Sequence, residues 1–211
     1  MLAMLRLFHF PASCSIASHF ALEEAGADYE LVRVDLANGE QTKTEYLAVN
    51  PKGRVPALQT VHGILTETPA ILAYIAQVHP AAALAPFDDA FQFARMQSFN
   101  AYLSSTVHVA HAHRMRGTRW ADDPAAIAEM RRKVPQTMAA CFELIERDNL
   151  AGPWVLGDRY SVADPYLFTM SLWLAGDGVD VAQFPRVQAF MQCMEARPAI
   201  RRVLDARHAA S

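Results

Sequence analysis

The chain has 211 residues, 52% of them hydrophobic, with a formal net charge of −3 and an isoelectric point near 6.2. This composition can bury a substantial core, so it excludes a mainly disordered chain, and the weak net charge argues against a general nucleic-acid-binding surface. The three cysteines are too sparse for a disulfide framework and favour a reducing compartment.

The N-terminal segment M-L-A-M-L-R-L-F-H-F is short, and Pro11 follows it directly. It lacks the long apolar core and the small-residue cleavage site of a signal peptide. No stretch of the sequence reaches the ~18 consecutive apolar residues that a membrane span needs. We therefore expect a soluble, cytoplasmic protein.

Strand-like and helix-like segments alternate over residues 1–79. The first helix is expected to end at Gly26, because glycine readily adopts the left-handed conformation that terminates helices. His62 and Gly63 are expected to form the turn of a hairpin. The third helix has Thr68 as its expected N-cap, with a proline at its first position. The predicted order is βαβαββα, with strands at 5–10, 29–34, 57–61 and 64–66 and helices at 13–25, 44–48 and 69–78.

A proline-containing linker, residues 80–88, precedes a region that is helical throughout. Asp123 fits an N-cap followed by Pro124, and Ser161 with Asp164 fits a capping box. Helices are predicted at 89–115, at 124–149 with Pro135 as a potential kink, from 161, at 185–195 and from 198. The predicted fold class is an α/β domain at 1–79 followed by an all-α domain at 89–211.

Cys14 lies in F-P-A-S-C-S, between the first strand and the first helix. The free N–H groups and the macrodipole of a helix N-terminus stabilise a thiolate and commonly lower a cysteine pKa from ~8.5 to roughly 3.5–7.5. Position 17 is alanine, so a two-cysteine disulfide cycle is excluded and a single-thiol role remains. A small residue that only packs at a helix start is the alternative. Ser13 and Ser15 are rival hydroxyl donors to a bound sulfur.

Two dipeptides are further candidate binding elements. A cis Val55–Pro56 bond would turn the N–H and C=O of Val55 toward an extended peptide, whereas a trans proline ending a loop is the commoner alternative. Glu67 and Thr68 open a helix, where backbone N–H groups can bind a carboxylate and Glu67 can accept hydrogen bonds from an ammonium group. The second pair therefore suggests a site for an amino-acid zwitterion, with plain helix capping as the alternative.

Three segments carry a resemblance to a known family. They are P-x-S-C-S-x-A-S-H at 11–19, N-P-K-G-x-V-P-A-L at 50–58 and S-V-A-D-P-Y-L-F at 161–168. With the two-part organisation they resemble the cytosolic glutathione S-transferases, and the first two resemble the bacterial beta class. The resemblance covers essentially the whole chain. It implies a thioredoxin-like N-terminal domain, an all-helical C-terminal domain and a homodimer.

The resemblance also implies glutathione as co-substrate, with no metal. Residues near its sulfur would be the catalytic set Cys14, Ser15 and His108, with His108 approaching from the helical domain. Val55 would pair with the cysteinyl backbone, and Glu67 with Thr68 would hold the γ-glutamyl end. The complete glutathione-binding set would be Ser13, Lys52, Val55, Pro56, Glu67 and Thr68.

The resemblance implies that the thiolate of glutathione attacks a small apolar electrophile held by the helical domain, a detoxification reaction. Candidate pocket walls are Phe10, Tyr102, Met115 and Trp120. Two alternatives remain open. One is thiol–disulfide reductase or peroxidase chemistry through a mixed disulfide of Cys14 with glutathione, and the other is a non-catalytic binding module of the same fold.

Some residues depart from the beta-class pattern. Val109 follows His108 where that class usually has lysine, and Ala101 stands where asparagine is expected, with Asn100 beside it. The loop after the second strand lacks a lysine often found there, and Lys43 is a weak substitute. These departures put strict beta-class catalysis in question.

The stretch 108–119 concentrates histidine and arginine. Only His108 and His111 share a helical face with each other, and no acidic residue is near them in the sequence, so a polar cleft face is favoured over a metal site. A solvated or interface cluster is expected for the basic run, with contact to an anionic substrate as the alternative; the run comprises Arg114, Arg116 and Arg119.

Overall fold

The structure is a computed structural model that describes the backbone of residues 4–209 and the side chains of residues 4–207. It divides into two compact units, one formed by the described residues of positions 1–88 and 195–211 and the other by residues 89–194. The first unit is mixed α/β and the second is helical, which confirms the predicted fold class. The predicted helical region 89–211 differs from this division at its C-terminal end, because the last helix packs against the first helix of the chain.

A four-stranded mixed sheet lies at the centre of the first unit, with strand order β2-β1-β3-β4. Strand β1 pairs in parallel with β2 and antiparallel with β3, and β3 pairs antiparallel with β4. The elements are β1 (Leu5–His9), α1 (Ile16–Glu24), β2 (Tyr29–Arg33), α2 (Thr44–Leu47), β3 (Ala57–Thr60), β4 (Gly63–Thr66), α3 (Thr68–Val78) and the C-terminal α9 (Pro198–Ala209). The predicted βαβαββα order is therefore confirmed, with strand ends shifted by one residue.

Helix α1 begins three residues later than predicted. The Ser13 N–H donates to the Phe10 carbonyl at 3.0 Å, so residues 13–15 form turns before the helix. The helix ends as expected, since Gly26 has φ +60° and the Ala27 N–H donates to the Leu22 carbonyl at 3.1 Å. This 6→1 bond at a left-handed glycine satisfies the terminal carbonyls of the helix.

The alternation of side chains along β1 divides the core of the first unit. Leu7 is fully buried, and helices α1 and α3, which contact each other, contribute buried residues such as Phe20 and Ile71. The next residue, Phe8, points to the opposite face, where it packs with Val34, Tyr46, Val55 and Ala57. The sheet is therefore covered on both faces, which holds the ends of its strands in fixed positions.

The helical unit contains α4 (Ala90–Tyr102), α5 (His108–Ala112), α6 (Pro124–Leu144), α7 (Ala163–Ser171) and α8 (Pro185–Glu195). Wider π-type turns at 103–107 and 145–149 join α4 to α5 and extend α6, which accounts for the long helices predicted there. Asp89 and Asp123 cap α4 and α6 by accepting backbone N–H groups at 2.9–3.0 Å. Within residues 4–209, no helix combines the length and the apolar character that crossing a bilayer requires.

The predicted capping box before α7 is present and buried. The Ser161 N–H donates to the Asp164 carboxylate at 2.7 Å, and the Ser161 hydroxyl accepts from the Ala163 N–H at 3.3 Å. Asp164 also accepts the Val155 N–H at 2.8 Å. One carboxylate thereby joins the loop before the helix to the helix start.

Candidate functional site

Two serines close the turn that precedes α1. The Phe10 N–H donates to the Ser15 hydroxyl at 3.0 Å, and the Ser13 hydroxyl donates to the Phe10 carbonyl at 2.9 Å. The two hydroxyl oxygens are 2.8 Å apart, so Ser15 can donate its proton to Ser13. Ser15 is fully buried, and its single O–H donor is used inside this turn. The geometry therefore gives Ser15 the role of shaping the turn that carries Cys14.

Cys14 connects this turn to the segment before β3. The residue is 8% exposed, and its thiol donates to the Val55 carbonyl at 3.5 Å. The Val55–Pro56 peptide bond is cis. None of the hydrogen bonds among the described residues uses the Val55 N–H, which leaves this donor available to a ligand. The segment that contains Cys14 and the segment that contains Val55 are thus in direct contact.

Tyr46 and Asn50, which are not among the predicted site residues, hold the loop before Val55. The Tyr46 hydroxyl and the Asn50 side-chain amide both donate to the Arg54 carbonyl, at 2.7 and 2.6 Å. Burial raises the pKa of Tyr46 to about 12, so it is a neutral donor at pH 7. Asn50 also accepts the Lys52 N–H at 3.1 Å, an Asx turn that the N-P-K-G motif would have signalled.

Glu67 has an unusual backbone conformation immediately before α3. Its φ is +70° and its ψ is 119°, a region that a non-glycine residue rarely occupies and that typically costs ~1–3 kcal/mol. Its carboxylate accepts from the Lys52 ammonium at 2.6 Å, and the same ammonium donates to the Thr66 hydroxyl at 2.9 Å. Such strain at a side chain that points into solvent is typical of a binding site.

The prediction that Thr68 caps α3 is wrong. The helix begins at Thr68, the N-cap position is Glu67, and no side chain makes a capping hydrogen bond. With Glu67 in this left-handed conformation, the helix starts at Thr68, one residue before the predicted start at residue 69. Within the described chain, the N–H groups of Thr68 and Ala70 have no hydrogen-bond partner, so the N-terminus of α3 can bind an anionic group.

The topology of the sheet brings these groups to one end of the first unit. Strand β1 runs into the Cys14 turn, the antiparallel β3 begins after Val55, and β4 runs out into Glu67. Because β1, β3 and β4 are neighbours, the segments that contain Cys14, Val55 and Glu67 lie side by side. A thiol, a free backbone N–H, a carboxylate and a helix N-terminus together suit an extended peptide that has charged ends.

His108 lies in the helical unit, in an aromatic group with His111 and Trp173. Its ring centroid is 5.2 Å from that of Trp173 and 6.4 Å from that of His111. His111 stacks on Trp173 at 4.0 Å, and its Nδ1 atom is 2.7 Å from the carboxylate of the buried Asp177. The fold therefore supplies an acidic partner for His111 that the neighbouring sequence does not contain.

Arg114 is part of the same arrangement. Its Nε atom lies 3.3 Å from Asp177 Oδ1, and its guanidinium also donates to the Gly176 carbonyl. Arg114 thus belongs to an internal ion pair rather than to the solvated cluster expected for it. No group of three or more potential metal ligands occurs in the described part of the chain.

The candidate electrophile-pocket residues lie in both units. Phe10 belongs to the first unit and packs beside the Phe8 cluster. In the helical unit, the Tyr102 hydroxyl donates to the Cys141 carbonyl at 3.4 Å, and burial raises the pKa of Tyr102. Met115 is 68% exposed, and Trp120 is 45% exposed with His113 against its ring. Met115 and Trp120 are therefore available for contact with an apolar molecule.

The residues at or beside the departures from the beta-class pattern differ in burial and in hydrogen bonding. Asn100 is fully buried, and its amide donates to Gln97 at 3.3 Å. Its side-chain oxygen has no hydrogen-bond partner in the described structure. Ala101 and Val109 are exposed and half-buried, respectively, and Lys43 is exposed at the start of α2.

Comparisons with known proteins agree with this geometry. The glutathione S-transferase N-terminal domain matches residues 3–77, and the glutathione S-transferase C-terminal domain matches residues 112–207. The chain is 33% identical over 206 residues to the glutathione S-transferase GstA of Escherichia coli O157:H7, covering 96% of this chain and 98% of that one.

Solved structures of glutathione transferases are similar to the chain over nearly their whole length. A glutathione transferase homolog from Sulfitobacter with bound glutathione has a TM-score of 0.94 at 51% identity, covering 98% of this chain and 99% of that one. The beta-class glutathione S-transferase of Sphingomonas chungbukensis has a TM-score of 0.84 at 35% identity, covering 96% and 98%. These similarities confirm the resemblance inferred from the sequence.

Proposed function

The chain belongs to the glutathione S-transferase family and acts as a glutathione transferase, and we propose that its first unit binds glutathione along the Cys14, Val55 and Glu67 segments. The observation that carries this placement is the 3.5 Å contact between the Cys14 thiol and the Val55 carbonyl. This contact places the Cys14 segment, which we propose lies beside the sulfur of glutathione, next to the Val55 segment, which we propose pairs with its peptide backbone.

Each part of the tripeptide has a counterpart of suitable chemistry. The γ-glutamyl carboxylate binds the free N–H groups at the start of α3, and Thr68 and Pro69 form that first turn. The γ-glutamyl ammonium binds the Glu67 carboxylate, which Lys52 now neutralises. The cysteinyl backbone pairs with Val55, and Ser13 with Pro56 shapes the two flanking segments.

The chemical task is to form a thiolate, since the thiol of free glutathione is mostly protonated at pH 7. We propose that the bound sulfur lies beside Cys14 at the N-terminus of α1, where the helix dipole favours negative charge. His108 accepts or shares the released proton. The sulfur then forms a bond to a carbon of the electrophile, and the displaced electron pair leaves with a leaving group or moves into an acceptor group.

Calorimetric titration of reduced glutathione into the purified chain tests this proposal. Saturable binding in the micromolar to low millimolar range is expected, with proton release that depends on the buffer because the thiol ionises. The matched ligand γ-glutamyl-alanyl-glycine, which has no thiol, should bind without that proton release. Absence of saturable glutathione binding at tens of millimolar would contradict the proposed site.

A reductase role is the second candidate, and the placement of Cys14 favours it. The Cys14 thiolate would attack glutathione disulfide, forming a mixed disulfide and releasing one glutathione thiolate. The expected product is a mass gain of one glutathione that a reductant reverses. Oxidation with glutathione disulfide followed by mass spectrometry separates this role from conjugation, because an adduct that persists in Cys14→Ala would exclude Cys14 as its site.

We further propose that the helical unit holds the electrophile against Tyr102, Met115 and Trp120, with Phe10 contributed by the first unit. The exposure of Met115 and Trp120 supports this role. A series of electrophiles with growing apolar groups should show falling KM values, and Trp120→Ala should reduce that dependence. A dependence on apolar size that is unchanged in Trp120→Ala would argue against this wall.

We also propose that the chain acts as a homodimer in the cytoplasm, in detoxification. Phe91 at the start of α4 is 72% exposed, so its ring is available for contact with a second copy of the chain. Light scattering should give twice the 23.4 kDa mass of the chain. Phe91→Ser should shift the protein toward monomer, whereas a change at the exposed Val61 should not. An unchanged monomer mass in the native chain would contradict the dimer.

A further inference from the structure

A cavity of about 230 Å³ lies in the first unit, apart from the segments assigned to glutathione. The end of β1, the segment after it, the strand β2, helix α1 and the later turns of α9 line it. Most of its wall is apolar, formed by Pro11, Ile16, Leu31, Val203 and Ala206. An engineered cavity of about 150 Å³ holds benzene, so this one has room for an aromatic ring with a short substituent.

Two buried histidines, His9 and His19, also line the cavity, and each is 7% exposed. Their rings meet edge to face with centroids 5.6 Å apart. His19 Nε2 lies 2.9 Å from the Tyr29 hydroxyl, and Tyr29 donates to Glu23 at 2.5 Å, so His19 is the donor toward Tyr29. Burial lowers the pKa of both histidines to about 4, which makes them neutral at pH 7.

His9 differs from His19 because its hydrogen-bonding groups are not used. Its Nδ1 atom is buried and has no partner among the described residues, and no hydrogen bond of the described structure involves its other ring nitrogen. A buried polar atom without a partner typically costs about 1–3 kcal/mol, so such atoms are rare in native proteins. A neutral imidazole offers one donor and one acceptor, and a polar ligand can satisfy either.

Two charged side chains line the cavity among the described residues, and both are arginines. Arg33 is the register partner of His9 on the neighbouring strand, and Arg207 lines the cavity from α9. Burial, and secondarily the charge of Arg33, lowers the pKa of His9. No acidic side chain of the described residues lines the cavity. The lining therefore combines an apolar wall with two guanidinium groups.

We propose that this cavity is a second ligand site, which binds a small apolar monocarboxylate. The apolar body of the ligand packs against Ile16, Leu31 and Val203. The carboxylate lies toward the guanidinium groups of Arg33 and Arg207, where His9 donates a hydrogen bond to it. The fit rests on the volume, the two arginines in the lining and the unused imidazole of His9.

The strand order separates this site from the proposed glutathione site. Strands β2 and β3 lie on opposite sides of β1. Leu31 and Arg33 belong to β2, whereas Val55 precedes β3. Residues 11–16 pass between the two regions, with the Cys14 thiol directed at Val55 and Ile16 lining the cavity. A ligand on the β2 side therefore need not compete with one on the β3 side.

The test is a calorimetric titration of phenylacetate into the full chain, with the transferase site filled by saturating S-hexylglutathione. Saturable binding is expected with S-hexylglutathione present. Phenylacetamide should bind at least about tenfold more weakly, because it lacks the charge that the arginines meet. The cation 2-phenylethylamine should not bind. Loss of phenylacetate binding in the presence of S-hexylglutathione, or equal affinity for all three probes, would overturn the proposal.

Two pairs of variants locate the site. Leu31 and Ile64 are exposed to a similar extent, 38% and 39%, on the two edge strands of the same sheet. Leu31→Trp should fill the cavity and weaken phenylacetate binding at least about tenfold, whereas Ile64→Trp should not change it. Unchanged binding in Leu31→Trp would place the ligand elsewhere.

The second pair keeps the test valid if Leu31→Trp does not fold. Arg207→Gln should weaken phenylacetate about tenfold and leave phenylacetamide unaffected, whereas Arg201→Gln, exposed on the same helix, should leave both unaffected. Equal effects of the two arginine variants would show that Arg207 does not bind the ligand carboxylate specifically, which would contradict the proposed site. Conjugation activity should remain in all four variants, so failure of this inference is distinguishable from failure of the proposed function.

Discussion

The ammonium group of Lys52 lies 2.6 Å from the carboxylate of Glu67, and the two side chains are 50% and 60% exposed. An ion pair this exposed contributes little to stability. Yet Glu67 is held at φ +70°, a conformation that has a free-energy cost. The conformation of Glu67 and its ion pair with Lys52 therefore fit a role in ligand binding better than a role in stabilising the fold.

The first prediction concerns Glu67→Gln. We expect the KM for glutathione to rise by about 10-fold or more, because a hydrogen bond to a charged group contributes roughly 1.5–3 kcal/mol. The kcat value should change less, since this contact is present in both the ground state and the transition state. The measurement is steady-state kinetics with 1-chloro-2,4-dinitrobenzene as electrophile, together with urea unfolding.

Glu30→Gln is the matched control for Glu67→Gln. Glu30 forms a comparably exposed ion pair with Arg6 at 2.8 Å, on β2 and away from the proposed glutathione site. This control should leave both KM and stability nearly unchanged. An equal KM effect in the two variants would show that Glu67 acts only through general surface charge.

A second prediction separates conjugation from disulfide chemistry. Cys14→Ala should reduce conjugation by at most about fivefold, because a neutral hydrogen bond contributes ~1 kcal/mol. His108→Ala should reduce kcat by about 10²-fold or more, as expected for loss of a proton-transfer group. His62→Ala, at an exposed turn, is the control. Loss of conjugation in Cys14→Ala with little effect of His108→Ala would reverse these roles.

A third prediction concerns the buried carboxylate of Asp177. Asp177→Asn should lower the free energy of unfolding by an amount at the lower end of roughly 3–5 kcal/mol, since it removes the buried partner of Arg114 and His111. Urea denaturation measures this change. The exposed pair of Glu129 with Arg132 provides the comparison, and Glu129→Gln should leave stability essentially unchanged.

A fourth prediction follows from His9 and His19, whose pKa values burial lowers to about 4. A lowered pKa means that the unfolded chain binds more protons than the folded one below pH ~6.5, so stability is fully present above that pH and falls as the pH falls toward 4. Between pH 7.5 and 5.5 each histidine should remove about 1 kcal/mol of stability.

Unfolding measured at pH 7.5 and 5.5 tests this effect before most carboxylates protonate. His9→Phe should lose about half of the difference between the two pH values, and His62→Gln should keep all of it. A pH dependence that is identical in His9→Phe and in the native chain would show that His9 does not titrate with folding.

Features governed by neighbouring residues could be predicted from the sequence. Asp89 and Asp123 cap their helices, Ser161 pairs with Asp164, and Gly26 ends α1. Each rests on an interaction that spans a few residues, so the local sequence contains all the information. The same holds for the order of strands and helices, because period and turn residues are local signals.

The candidate site could be predicted only in part from the sequence. The segments that contain Cys14, Val55 and Glu67 could be selected, but not the left-handed backbone at Glu67 that makes α3 begin at Thr68. Nor could the use of the Ser15 hydroxyl inside its own turn be foreseen. These features depend on the packing of the loops against one another.

The sequence by itself determined where the chain is helical, where it is extended and which short segments have binding chemistry. The tertiary structure alone decided which distant residues meet. Asp177 reaches His111 across 66 positions, and α9 brings Arg207 to the cavity that His9 also lines. The reason is physical: local propensity acts over a few residues, whereas a buried pair or a cavity exists only after the apolar faces of separate elements have packed together.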